Sequence, residues 1–391
     1  MSARTPYTGP ALLSAGFRPF FLLATGFAAL AIALWLAVWE GLLSLSSVFL
    51  PVDWHVHEMV FGYGAAVVAG FLFTAVPNWT GRLPTRGLPL GVLSLVWIAG
   101  RYVSAGVFPV GPVAVLLIDQ LFLLLVGSMI AREIVAGRNW RNLKVLVPVT
   151  IFWVANLIFH IEAMKTGAAM FAHRLGLAVL VFLIMLIGGR IIPSFTRNWL
   201  VKQGQRRLPI PFNSFDGIAI LTGALALGLW VAQAEGLAEA LLLGLAGMGQ
   251  ALRLARWRGA HTWRSPLLLM LHLSYAFIPF GFAAAALSAV GILNDAATFH
   301  ALGAGAVGTM TVAVMVRATL GHTGRPLEAG AFATGAFAAL AVASLLRVAA
   351  EVQNAPREAL LIGAGVLWVG AFLVVMARLW RPVLSKRTPA T

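Results

Sequence analysis

Eight histidines and no cysteine bound the chemistry open to this 391-residue chain. Without thiolates there is no disulfide, no iron–sulfur cluster and no thiolate haem ligand. A bound metal must be held by imidazole, carboxylate, thioether or main chain. Three of the histidines recur in one register. His57 is followed by Pro77, Thr80 and Arg82 at 20, 23 and 25 residues; His173 by Pro193 and Thr196 at 20 and 23; His300 by Thr323 and Arg325 at 23 and 25. Separations of 116 and 127 residues make the repeating unit about a third of the chain. An imidazole offered three times in one setting is a metal-ligand pattern, although related repeats also keep a histidine for packing.

The elements that must carry these residues are membrane helices. The chain is 60% hydrophobic and 10% charged, against about 25% charged in a soluble domain. Runs long enough to span, roughly 20 apolar residues, occur near 16–39, 54–77, 88–106, 112–135, 144–163, 172–193, 216–235, 237–256, 265–290, 296–319, 328–350 and 357–380. The expected fold is an all-α integral membrane protein, a single transmembrane domain of about twelve helices. It divides into three four-helix pseudo-repeats, near 1–139, 140–259 and 260–391, with the recurring histidine on the second, sixth and tenth helices. The longest loop, Arg197 to Phe215, is too short for a soluble domain. The first residues lack a basic stretch followed by an apolar one, so no cleaved signal is expected.

A net charge of +15 raises the question of nucleic acid, but the charge is spread over short loops. On the twelve-helix map 23 of the 28 Lys and Arg fall on one side, and only Arg101, Lys165, Arg174, Arg347 and Arg357 on the other. Ten of the thirteen acids show the opposite bias. The positive-inside rule then places both termini in the cytoplasm, and the lipid bilayer is the partner.

This orientation puts His55, His57, His160, His173 and His300 near the outer face, and His272 and His322 towards the inner one. His55 and His57 are two apart and point about 200° apart on a helix, so they share an ion only if the helix starts after His55. Glu58 stands beside them as a partner or proton carrier. Asp119 lies deep in an apolar run, where an ionisable group is paired or functional. It is expected to relay protons or to partner a histidine or arginine. Arg190 and Arg317 sit near inner helix ends, where snorkelling accounts for them unless they hold an anion. Gly62, Gly64, Gly70, Gly303, Gly305 and Gly308 thin one face of the second and tenth helices. Tight helix packing explains that; room for a flat macrocycle is the functional alternative.

The stretches GFRPFF (Gly16 to Phe21), HVHEMVFGYGAAVVAGFLFTAVPNWTGR (His55 to Arg82), IGGRIIPSFTRNW (Ile187 to Trp199), LHLSYAFIPFG (Leu271 to Gly281) and HALGAGAVGTMTVAVMVRATLGHTGRP (His300 to Pro326) resemble the NnrS family of bacterial inner-membrane proteins. The resemblance implies a haem- and copper-containing protein that protects against nitrosative stress. His55, His57, His272, His300 and His322 match the family's motif positions. The layout is also analogous to the twelve-helix catalytic subunits of haem–copper oxidases and nitric oxide reductases, which hold a haem between the second and tenth helices near the outer face. By that analogy His57 and His300 are the expected ligands of a b-type haem, with His272 and His322 as the rival pair. The seventh helix carries no histidine, so the copper site of that superfamily cannot be built in its usual place. A second ion, copper or non-haem iron, is expected instead at His55, His173 and His160.

Two classes of function follow. One is an oxidoreductase that turns two nitric oxide molecules, two electrons and two protons into nitrous oxide and water, with Glu58 as the catalytic proton carrier and an unidentified electron donor. The other is a protein that binds or senses nitric oxide, or transports haem or metal, without catalysis. Histidines clustered at one face rather than at the midplane favour the first class over transport.

Overall fold

The computed structural model describes residues 7–386, helical apart from turns and short connections. Arg4 and Arg387, counted above among the inner basic residues, lie outside the described residues. Twelve principal helices follow in order: α1 (Phe17–Trp39), α2 (Pro51–Thr80), α3 (Leu88–Ser104), α4 (Pro112–Ala136), α5 (Leu146–Thr166), α6 (Met170–Lys202), α7 (Ser214–Val231), α8 (Leu237–Ala255), α9 (Pro266–Ala289), α10 (Asp295–His322), α11 (Gly330–Ala349) and α12 (Arg357–Leu384). All but α3 are long and apolar enough to cross a bilayer. At 17 residues, α3 is about 26 Å long, a little short of a hydrocarbon core of roughly 30 Å.

The chain punctuates these helices by familiar chemistry. Proline opens α2, α4 and α9, where a missing N–H costs nothing. Gly81 and Gly167 close α2 and α5 at φ +67° and +80°, a left-handed conformation that favours glycine. Asn213 and Asp216 form a reciprocal capping box at the start of α7. The outward faces are apolar: Leu117, Leu121 and Leu124 on α4, and Leu241, Leu245, Met248 and Leu252 on α8, are all exposed. Polar groups deep within these helices, Asp119, Gln120, Gln250 and Arg253, are instead buried. Such an arrangement suits lipid, not water, as the surrounding solvent.

Helices α2, α6 and α10 each contain a π-helical stretch, Glu58–Gly64, Ile184–Gly188 and Ala301–Gly308 respectively. Widening the turn to i→i+5 leaves carbonyls that need other donors. Trp97 Nε1 donates to Gly62 O at 3.0 Å, Arg253 to Met185 O at 2.7 Å, and the Thr309 hydroxyl to Gly305 O. The widened turns begin directly after His57 and His300, and eleven residues after His173.

The chain forms two compact units. The first comprises residues 1–169, 318–326 and 376–391; the second comprises 170–317 and 327–375. In the first, Phe20 packs against Phe73 and Phe122. There the buried Arg18 guanidinium donates to the carbonyls of Val383 (2.6 Å) and Ser385 (2.7 Å), satisfying orphan acceptors at the end of α12. The second holds a buried polar network of its own. Arg253 contacts Asp216 at 3.0 Å and the Tyr275 hydroxyl at 2.8 Å, and that hydroxyl donates to Gln250 at 2.6 Å.

Candidate metal centre

Six residues from α2, α3, α4 and α5 converge in the first unit. His57 is the seventh residue of α2, Asp119 the eighth of α4, and His160 lies six residues before the end of α5. Each is therefore about 9–11 Å along its helix from one end. Helix periodicity does the local positioning: Asn156 and His160, four apart on α5, share a face.

Asp119 is the hub. One carboxylate oxygen, Oδ2, lies 3.2 Å from His57 Nε2 and 3.1 Å from His160 Nε2. The other, Oδ1, takes the Arg101 guanidinium. Arg101 also donates to Glu58 Oε2 at 2.8 Å, and Glu58 Oε1 lies 3.0 Å from His57 Nδ1. Asn156 donates to Asp119 Oδ2 at 2.7 Å and accepts from His57 Nε2 at 3.1 Å. His57, Glu58, Asn156 and His160 are each at most 1% exposed. Phe49, Phe61 and Phe159 wall the His57 ring at 4.8–5.6 Å between centroids.

Charges at this depth survive only in mutual compensation. The acceptors facing His57, the Glu58 carboxylate at Nδ1 and the Asp119 carboxylate and Asn156 amide oxygen at Nε2, call for donors on both ring nitrogens. The hydrogen-bond pattern is thus that of an imidazolium. Two positive groups (Arg101, His57) then balance two negative ones (Glu58, Asp119).

The same geometry suits a metal ion. His57, Asp119 and His160 offer ligand atoms within 4.8 Å of one another. With bonds of about 2.1 Å, neighbouring ligand atoms stand roughly 3.0–3.4 Å apart in octahedral or tetrahedral geometry, which matches the 3.1 and 3.2 Å edges at Asp119. An ion on His57 Nε2 leaves Nδ1–H bonded to Glu58, the carboxylate–histidine support typical of metal sites. The donor chemistry therefore fits a divalent ion, which would take the place of the proton on Nε2.

A haem at His57 fits less well, because Asn156 and Asp119 crowd its Nε2 and Glu58 its Nδ1. Four of the six glycines that thin these faces are closely covered. A side chain at Gly62 would collide with Arg101, Glu58 and Phe27; at Gly70 with Phe21; at Gly305 with Phe277; and at Gly308 with Trp368. These glycines allow close packing, the first of the two explanations given above.

Of the expected site residues, the structure brings together His57, Glu58 and His160. His55 is not among them. Because α2 starts at Pro51, His55 is already helical and points away, its ring stacked on Trp35 at 4.7 Å. His173 and His300 belong to the second unit. The His173 ring meets Phe299 edge-on, and His300 Nδ1 donates to Ala296 O at 2.7 Å. His272, also in the second unit, lies 2.9 Å from the Thr196 hydroxyl. That hydroxyl spends its proton on Ile192 O, so His272 is the donor and carries its proton on Nε2. His322, in the first unit, lies 5.7 Å from Phe17 between ring centroids. Asp119 is partnered by both histidine and arginine, as its depth in an apolar run led us to expect. Arg101 and Asn156 were not singled out from sequence. For Arg101 the signal was present: it is the one basic residue in an otherwise apolar third segment.

No curated protein matches this chain. The description "NnrS protein" matches residues 11–387, nearly its whole length. A multi-pass helical chain with a buried histidine–aspartate cluster thus belongs to the NnrS family.

Proposed function

We propose that this protein handles nitric oxide within the membrane by means of one redox-active ion held by His57, Asp119 and His160. The observation that carries the proposal is the donor set itself, two imidazoles and one carboxylate within 4.8 Å. Two histidines and a carboxylate with open positions are the signature of non-haem iron(II), and copper is the alternative for an imidazole-rich site. A bound ferrous ion held by these three residues would supply a reducing electron to nitric oxide. The chain's own groups do the rest. Arg101 fixes Asp119 and Glu58 by separate bonds, so each carboxylate keeps one oxygen directed at a histidine. Glu58 holds the proton of His57 Nδ1 and is the group through which protons pass to the site. The phenylalanine wall around His57 keeps bulk water from the reacting atoms. Two nitric oxide molecules, two electrons from an external donor and two protons give nitrous oxide and water.

The family resemblance carries haem and copper with it. Of the expected haem ligands, His300 keeps a suitable setting, its ring fixed by the Nδ1 bond to Ala296 O. The reaction above does not depend on that haem. We assign His57 to the ion and leave His55 and His173 outside the site. The second reading is nitric oxide binding without turnover. It is favoured by the single three-ligand cluster found among the described residues. Transport has less support, because the cluster lies about 9–11 Å from helix ends rather than at the midplane. We further propose a bacterial inner-membrane location with both termini cytoplasmic, from the 23-to-5 basic asymmetry. We also propose one transmembrane domain of three four-helix repeats. The π-helical turns in α2, α6 and α10 support that repeat. The test is anaerobic nitric oxide consumption by purified protein with a chemical reductant, following nitrous oxide. Turnover in the wild type that is lost in His160→Ala supports reduction. Stoichiometric binding with no nitrous oxide supports the second reading.

A further inference from the structure

Away from the histidine cluster, the other end of α2 carries a second built feature in the first unit. Two adjoining cavities share Arg82 and Pro84. One, of about 410 Å³, is lined by Arg82, Arg86 and Arg132 together with Glu133. The other, of about 390 Å³, is lined by Phe17, Phe73 and Pro77, with Asn78 and His322 at its polar side.

The charges do not cancel within the first cavity. Glu133 pairs with Arg82 at 2.8 Å and with Arg132 at 3.3 Å. Arg86 reaches the face of Tyr7, 5.7 Å from the ring centroid, and the only carboxylate lining the cavity is already shared by the other two guanidinium groups. Three arginines against one acid make this chamber a place for an anion, and phosphate oxygens are the natural partners of guanidinium forks. The neighbouring chamber decides which anion. Arg82, Asn78 and His322 also line that chamber, but its Phe17, Phe73 and Pro77 walls offer nothing to a free phosphate and suit the glycerol and acyl portions of a lipid. Leu83 lines the arginine chamber and is exposed, as is Leu88 close by at the start of α3. In a bilayer those side chains meet acyl chains while the arginines lie at the head-group level.

We infer that this two-chambered cleft at the α2–α3 turn binds an anionic phospholipid, with its phosphate between Arg82, Arg86 and Arg132 and its apolar part against Phe17 and Phe73. The lipid would tie the α2–α3 turn to α4 and to the end of α10, all within the first unit.

Native mass spectrometry of the full chain from mixed micelles of phosphatidylglycerol and phosphatidylcholine tests this. The wild type should retain phosphatidylglycerol over phosphatidylcholine by at least tenfold. Arg86→Gln leaves both Glu133 ion pairs intact and should reduce that preference about threefold. The triple change of Arg82, Arg86 and Arg132 to Gln should abolish it. Arg206→Gln with Arg207→Gln, in the α6–α7 loop, should leave it unchanged. A preference that survives the triple change, or one that the loop control reduces equally, overturns the assignment. So does displacement of the lipid by millimolar inorganic phosphate, which would make the ligand a free anion.

Discussion

His57 Nε2 stands 3.2 Å from Asp119 Oδ2, and both groups are almost wholly buried. That one contact joins α2 to α4. Its consequences divide into those for stability and those for metal binding.

Removing Arg101 should destabilise the first unit. Arg101→Gln leaves Glu58 and Asp119 facing each other's neighbourhood without their shared cation. Losing one partner of a buried ion pair costs about 3–5 kcal/mol. Thermal unfolding in detergent should shift well below the wild type. Arg101→Lys should recover only part of the loss, because an ammonium does not reproduce the planar fork that bridges two carboxylates. Equal melting temperatures for Arg101→Gln and wild type would refute the hub assigned to this residue.

Gly62→Ala should be poorly tolerated, since the added methyl meets Arg101, Glu58 and Phe27. Overpacking of this kind costs roughly 1–3 kcal/mol. Gly217→Ala, where nothing lies within 4 Å of the added carbon, is the matched control. The check is the difference in unfolding midpoint between the two variants, which should be clear and in that direction.

Tyr275→Phe separates the units. It removes a hydroxyl that accepts from Arg253 and donates to Gln250. Leaving a buried group unpaired costs about 1–3 kcal/mol. The variant should lower stability yet keep the wild-type metal content, because the network lies in the second unit. Loss of metal alongside stability would show that the two networks are not independent.

Much of this architecture was legible in the chain. Hydropathy alone marked twelve helices, because a bilayer imposes apolar outer faces, such as Leu117, Leu121 and Leu124 on α4. The depth of Asp119 in an apolar run announced a partner. Which partner was not legible. His57 and His160 are 103 residues apart in sequence, and only helix packing brings both to Asp119. The pairing of His57 with His300 came instead from analogy of layout, and repeat register alone says which residues are equivalent, not which side chains meet. The π-helical turns were equally hidden. A wider turn depends on a donor such as Trp97 reaching Gly62 O from another helix, which no local pattern reveals.

His160→Ala should lower metal affinity while sparing the ion-pair frame. His160 donates to Asp119 but touches neither Glu58 nor Arg101 by a hydrogen bond. Titration of metal-stripped protein with ferrous iron should show weakening by at least tenfold. A melting temperature close to wild type would confirm that the frame persists. Unchanged affinity would remove His160 from the ligand set.

On this proposal His57, Asp119 and His160 hold one redox-active ion. Elemental analysis of protein purified anaerobically from iron- and copper-replete cells tests it most directly, alongside His57→Ala, Asp119→Asn and His300→Ala. Close to one iron or copper per wild-type chain is expected at this site, lost in the first two variants and kept in His300→Ala. A wild-type chain that neither carries nor takes up either metal, or a metal content unaffected by changing His57 and Asp119, would contradict it.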